Sequence, residues 1–138
     1  MTTIAAGVAV PFALLLGGTM AAAAGWRDDP LAVRVERAAL AMQRLSWEQG
    51  ILGQAYLEAG DHDMLALTMR AALVHVAKDG RVADVGGSPL DSLMCGEPLW
   101  RAAEITNDPQ LRAAADGLLA YVRERAPRTA DGTLYHYD

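Results

Sequence analysis

Turn residues divide the latter part of this chain at helical intervals: Gly60-Asp61, Asp79-Gly80, Asn107-Asp108-Pro109 and Asp131-Gly132. Gly and Asn accept the left-handed backbone that ends a helix, and Asp accepts the free N–H groups that begin one. Between these breaks apolar residues recur at helical spacing, and no segment keeps the period of two that a half-buried strand needs. A chain written this way is confined to packed helices, with strand pairing limited to its loops.

The first of these helices opens at Asp29-Pro30, a cap followed by a first-turn proline, and runs to about Arg44. Leu31, Val35, Ala38, Ala39, Met42 and Leu45 form its apolar stripe. Further helices are expected over about 47–59, 63–78, 89–105 and 109–125. The segment 54–61 resembles 101–108, and each is followed by a helix and an Asp-Gly turn, the pattern of stacked helical pairs. In the last helix Leu111, Ala114, Ala115, Leu118, Leu119 and Val122 face one way and Arg112, Asp116 and Arg123 the other, as on an outer helix with a wet side. The helix 89–105 carries Leu90, Leu93, Met94, Leu99 and Trp100 around much of its circumference, as a buried inner helix would. Alternating inner and outer helices predict an all-α fold of antiparallel helical hairpins, an α/α toroid or a solenoid.

At 138 residues and 52% apolar content, one domain with a real core is expected. The net charge of −5, with scattered Lys and Arg, argues against nucleic acid as a partner. Cys95 is the single cysteine, which rules out an internal disulfide or a cysteine metal cage. The sequence contains no Gly-rich phosphate loop, His-x-x-x-His pair or Gly-x-Ser-x-Gly elbow.

Residues 1–26 form a segment apart from 27–138: they carry no charged side chain, and Val8 to Leu16 is almost continuously apolar. Met20-Ala21-Ala22-Ala23-Ala24 suits signal cleavage, but no Lys or Arg precedes the apolar run. The readings are a signal, a membrane anchor over 3–25, a buried first helix and a poorly ordered start. The first two imply a secreted or membrane-anchored protein, the other two a cytoplasmic one.

Asp91, in Ser88-Pro89-Leu90-Asp91-Ser92-Leu93-Met94-Cys95, sits among apolar residues where a helix begins. Two readings stay open on the residues. Ser88 and Asp91 have capping-box spacing. Equally, the free N–H groups and dipole at a helix start favour the ionised acid while apolar neighbours oppose it, and such opposed terms suit a group that gives and takes a proton.

Ser46-Trp47-Glu48-Gln49-Gly50, Gly60-Asp61, Leu90-Asp91-Ser92-Leu93-Met94 and Gly132-Thr133-Leu134-Tyr135-His136-Tyr137-Asp138 occur in that order. Together, over about residues 31–138, they resemble the unsaturated glucuronyl and rhamnogalacturonyl hydrolases, glycoside hydrolase families 88 and 105. The resemblance implies a six-hairpin (α/α)6 barrel, of which this chain would supply about half, ending inside a motif at Asp138. It implies an enzyme of carbohydrate metabolism acting on oligosaccharides left by polysaccharide lyases. In that family an Asp protonates the C4–C5 double bond of the terminal unsaturated uronic acid and assists water attack. The hemiketal then collapses, and neither a metal nor another cofactor is used.

By this resemblance Asp91 is the general acid/base. Asp84 corresponds to a second cleft Asp, or is an ordinary loop acid. Trp47 stacks on a sugar ring, or packs in the core. His136 and Asp138 belong to a cleft-forming loop, with a spacing in this chain one residue shorter than the family pattern. His62 and His75 carry no motif. A half-barrel leaves inner-helix surface uncovered, which a homodimer would cover. The rival reading is a catalytically inactive helical-hairpin binding module or a truncated fragment.

Overall fold

The structure, a computed structural model, describes residues 25–84 and 88–136. The apolar start, the Gly86-Gly87 pair and Asp138 lie outside the described residues. The fold is all-helical, with α1 (Pro30–Met42), α2 (Ser46–Glu58), α3 (His62–Ala72), α4 (Gly96–Thr106) and α5 (Pro109–Glu124). Short 3-10 segments cover Trp26–Asp28, Leu73–His75 and Asp91–Cys95. Among the described residues strand-like pairing is confined to two isolated antiparallel bridges, Val76 with Val82 and Arg128 with Leu134.

The same local chemistry starts three of the helices. Asp29 accepts the Leu31 N–H at 2.8 Å, Asp108 accepts that of Gln110 at 2.9 Å, and Asp61 accepts that of Met64 at 3.3 Å. Pro30 and Pro109 fill first-turn positions whose N–H would have no partner in any case. Asn107, at φ 54°, closes α4 in the left-handed conformation, so one short turn ends α4 and caps α5. The two Asp-Gly turns are built alike. Ala77 donates to Arg81 and Thr129 to Thr133, both at 2.8 Å, with Gly80 and Gly132 at φ near +89° and +88°. The sequence repeat thus extends to the backbone hydrogen bonds of its turns.

The core lies where α2, α3, α4 and α5 meet, with α2 on α3, α3 on α4 and α4 on α5. Leu65, Met69, Leu99 and Leu111 are fully buried, joined by Ala72, Ala102, Leu118 and Tyr121. Burial of each large side chain contributes about 1.5–3 kcal/mol. Val82, from the first Asp-Gly turn, is also fully buried and carries that turn into the core. Gly80 lies against the backbone of Gly117 in α5, so that a Cβ on Gly80 would come within 2.4 Å of the Gly117 carbonyl oxygen.

Two expected helices differ. The helix expected over 89–105 is a 3-10 segment followed by an α-helix that begins at Gly96. Pro98 explains the break: it has no N–H for a carbonyl four residues back, and its ring clashes with that carbonyl, so it is tolerated only in a first turn. Met94 and Trp100 are exposed rather than buried on an inner helix, and Arg112 covers the Trp100 ring with its guanidinium 4.2 Å from the centroid.

The helix expected over 63–78 gives way at Leu73–His75. There Val76 turns to pair with Val82, and Ala83 donates to the His75 carbonyl at 3.0 Å. The apolar stripe of α1, for its part, is left outside the core. No α1 residue is buried, and Leu31, Val35 and Met42 are 62%, 60% and 70% exposed.

Two glycines of α2 set how closely it meets its neighbours. A Cβ on Gly50 would come within 2.5 Å of the Met94 carbonyl carbon, a backbone atom, whereas one on Gly53 would first meet the movable Cε of Met69 at 2.6 Å. Gly50→Ala is therefore expected to lower the unfolding free energy by about 1–3 kcal/mol, and Gly53→Ala by less, in urea denaturation. Equal losses would show that the backbone contact at Gly50 sets no limit.

Candidate functional site

Asp91 is the first residue of the 3-10 segment and lies outside the α-helix that follows. Its Oδ2 accepts the Ser88 N–H at 3.1 Å, and Ser88 Oγ accepts the Leu90 N–H at 3.1 Å. That reciprocal arrangement is a capping box shortened to fit the tighter turn. Oδ1 faces the imidazole of His136, with Nε2 at 3.8 Å. Ser88 also donates its hydroxyl to the His136 carbonyl, which draws the loop after Thr133 against the start of the 3-10 segment.

The Asp91 side chain is 28% exposed and that of His136 58%. The carboxyl is thus held at Oδ2, faces His136 at Oδ1, and stays partly exposed. Such a group can pass a proton to an incoming molecule and take one from water.

Asp84 occupies a different position. Its Oδ2 accepts both the backbone N–H of Ser46, at 2.7 Å, and the Ser46 hydroxyl, at 2.8 Å. Its Oδ1 lies 2.9 Å from His75 Nδ1. Asp84 therefore places a carboxylate at the N-terminus of α2, where free N–H groups and the helix dipole stabilise negative charge. From the other side, the Cys95 thiol donates to the Ser46 carbonyl at 3.1 Å. Burial pushes the Cys95 thiol up to about 12, with the Asp84 charge acting in the same direction. Cys95 is thus a packing residue and not a thiolate.

The four positions singled out in the sequence divide accordingly. Asp91 and His136 come together across the chain. Asp84 joins Ser46 and His75 instead, and among the described residues no hydrogen bond or ion pair links it to Asp91. Trp47 follows Ser46 at the start of α2 and is 36% exposed, lining a groove between α1 and α2 rather than the core.

Ser88 takes part as the cap partner that its spacing to Asp91 implies, whereas Ser46 and His75 were not marked as site residues by the sequence. Ser46 opens the Ser-Trp-Glu-Gln-Gly motif, and Ser88 is the first residue of the capping pattern. His75 has no local signal, because its partner is brought to it by the bridge of Val76 with Val82. Among the described residues no cluster of three or more His, Cys, Asp or Glu is arranged to hold a metal ion, and no helix is long and apolar enough to cross a membrane.

Comparison with known proteins adds no assignment to this geometry. No protein-family model, curated protein or solved structure matches the chain.

Other carboxylates serve the helix starts. Glu48 accepts the N–H groups of Arg44, at 2.7 Å, and Leu45, at 3.0 Å, and these bonds lower its pKa below the ordinary 4.5. Asp108 is held low chiefly by Arg70, 2.9 Å away, and next by the Gln110 N–H. A carboxylate whose pKa is lowered in the folded chain binds protons more readily in the unfolded one. Its stabilisation is present above the ordinary pKa and is lost as pH falls through the folded value. The thermal midpoint is expected to fall as pH drops below about 4.5, and Glu48→Gln to show a lower neutral midpoint with a shallower acid fall. Parallel curves for the two proteins would remove Glu48 from the acid response.

Proposed function

We propose that the residues around Asp91 form a glycoside hydrolase-like site of the unsaturated uronyl hydrolase type. In this reading Asp91, as the acid, transfers its proton to C4 of the unsaturated uronic acid. Water adds at C5 and returns a proton to the carboxylate. The hemiketal so formed opens and releases the rest of the oligosaccharide. Two carboxylates flanking the glycosidic oxygen, the usual glycosidase arrangement, are not needed, because that bond breaks only after hydration.

One observation carries the reading. Asp91 and His136, drawn from motifs far apart in the chain, meet at 3.8 Å with the carboxyl open to solvent. His136 in its protonated form stabilises the carboxylate left after proton transfer, and Ser88 fixes the other oxygen. Trp47 and Asp84 do not join this pair: Trp47 lines the groove between α1 and α2, and Asp84 holds the start of α2.

The finer architecture belongs to the same reading. With α2 on α3 and α4 on α5, each pair followed by a matching Asp-Gly turn, the helices are taken as antiparallel hairpins forming part of an (α/α)6 toroid. The exposed apolar stripe of α1 favours a second reading, a helical-hairpin binding module without catalysis.

The test is direct. Unsaturated uronyl disaccharides are incubated with the protein, and loss of the ultraviolet absorbance of the double bond is followed. Turnover is expected, with Asp91→Asn slower by about 100-fold or more, as for loss of a general acid. Background rates for wild type, or equal rates for wild type and Asp91→Asn, would refute the hydrolase reading and favour the binding module.

A further inference from the structure

Between α1 and α2 runs an open groove of about 650 Å³. Leu31, Val35 and Met42 form one wall, Trp47 and Ile51 the other, and Trp26 and Tyr56 close one end, their ring centroids 6.4 Å apart. Val35 and Ile51 are 60% and 50% exposed. Apolar surface left this open on two adjoining helices is the mark of a surface that takes a partner.

The carboxylates along the groove are already engaged. Asp29 caps α1, Glu48 takes the N–H groups of Arg44 and Leu45, and Glu36 accepts the Tyr56 hydroxyl at 3.0 Å with Arg27 3.8 Å away. No negative charge is left in want of a basic partner, so the remaining surface suits an uncharged apolar occupant. Gln43 at the far end has a buried Oε1 without a hydrogen-bond partner. It would accept an N–H from such an occupant.

We infer that the groove is occupied by the apolar N-terminal segment of the same chain, within residues 4–16. Three observations select it over a second copy. Residues 1–24 carry no charged side chain, which matches the groove. The chain leaves that segment at Gly25 and passes directly into Trp26, which lines the groove itself. Lengths also agree: the 13 residues of α1 extend about 20 Å, and the linking residues 17–24 can reach back about 27 Å at most. A segment tethered this closely acts at an effective concentration on the order of millimolar, against which a second copy competes poorly.

The experiment is photo-crosslinking in the full chain, with benzoylphenylalanine replacing Val35, and replacing Leu67 on α3 as control. Leu67 is 59% exposed and lies outside the groove. Intact mass is measured first, and adducts are then mapped by peptide mass spectrometry. A monomer-mass adduct from position 35 to residues 4–16 is expected, with little or none from position 67.

The double variant Leu14→Asp/Leu15→Asp, which leaves every described residue untouched, is expected to reduce the position-35 adduct about tenfold by putting charge into the apolar groove. Any of four results would overturn the inference: adducts joining two chains, no adduct, an undiminished adduct in the double variant, or an intact mass lacking the N-terminal segment.

Discussion

Ser46, at the start of α2, is the polar residue on which the joint between α2, the first Asp-Gly turn and the 3-10 segment depends. It is fully buried, and its N–H, hydroxyl and carbonyl all bond to groups outside its own helix. A buried donor left unpaired costs about 1–3 kcal/mol, so this position requires Asp84 beside it. Asp84 in turn fixes His75 and the first Asp-Gly turn, which carries Val82 into the core. On the other side Cys95 ties Ser46 to the 3-10 segment that begins with Asp91. One residue at the start of α2 therefore joins three stretches of chain that are remote in sequence.

The close contact of Gly50 with the Met94 backbone extends the same joint by one turn of α2. Without a side chain at Gly50, the 3-10 segment settles directly on the helix. Pro98 then starts α4 at Gly96 and keeps that segment out of the α-helix. The position of Asp91 follows from these constraints, and Ser88 and His136 complete its surroundings. Its cap role and its proposed proton-transfer role are compatible, because they use different carboxylate oxygens.

Much of this fold was legible because its signals are local. Asp29-Pro30 and Asp108-Pro109 announce helix starts through side chains that act within two residues of themselves. Gly60, Gly80 and Gly132 announce turns through a backbone conformation that other residues resist. Asn107 takes the same left-handed conformation at the end of α4. The apolar stripe of α5 placed Leu111, Ala114, Ala115 and Leu118 in the core because α4 covers it, while Leu119 on the same stripe is 40% exposed and Val122 only partly buried. The equally regular stripe of α1 stays exposed among the described residues, since periodicity identifies an apolar face and not the surface that covers it.

The candidate site was less legible for the same reason. The pairing of Asp91 with Ser88 lies within four residues of chain and could be read as a cap. Its approach to His136, and the attachment of Asp84 to Ser46 and His75, depend on tertiary folding that no local pattern encodes. The 3-10 character of Asp91–Cys95 depends on Pro98, a residue outside the segment itself.

The Asp84–Ser46 contact acts as a cooperative joint, and a double-mutant cycle tests it. Unfolding free energies are measured by denaturant titration for wild type, Ser46→Ala, Asp84→Ala and the double variant. A favourable coupling of about 1 kcal/mol or more is expected for groups in direct hydrogen-bond contact within one network. Additivity within about 0.3–0.5 kcal/mol, the behaviour of independent sites, would contradict the account.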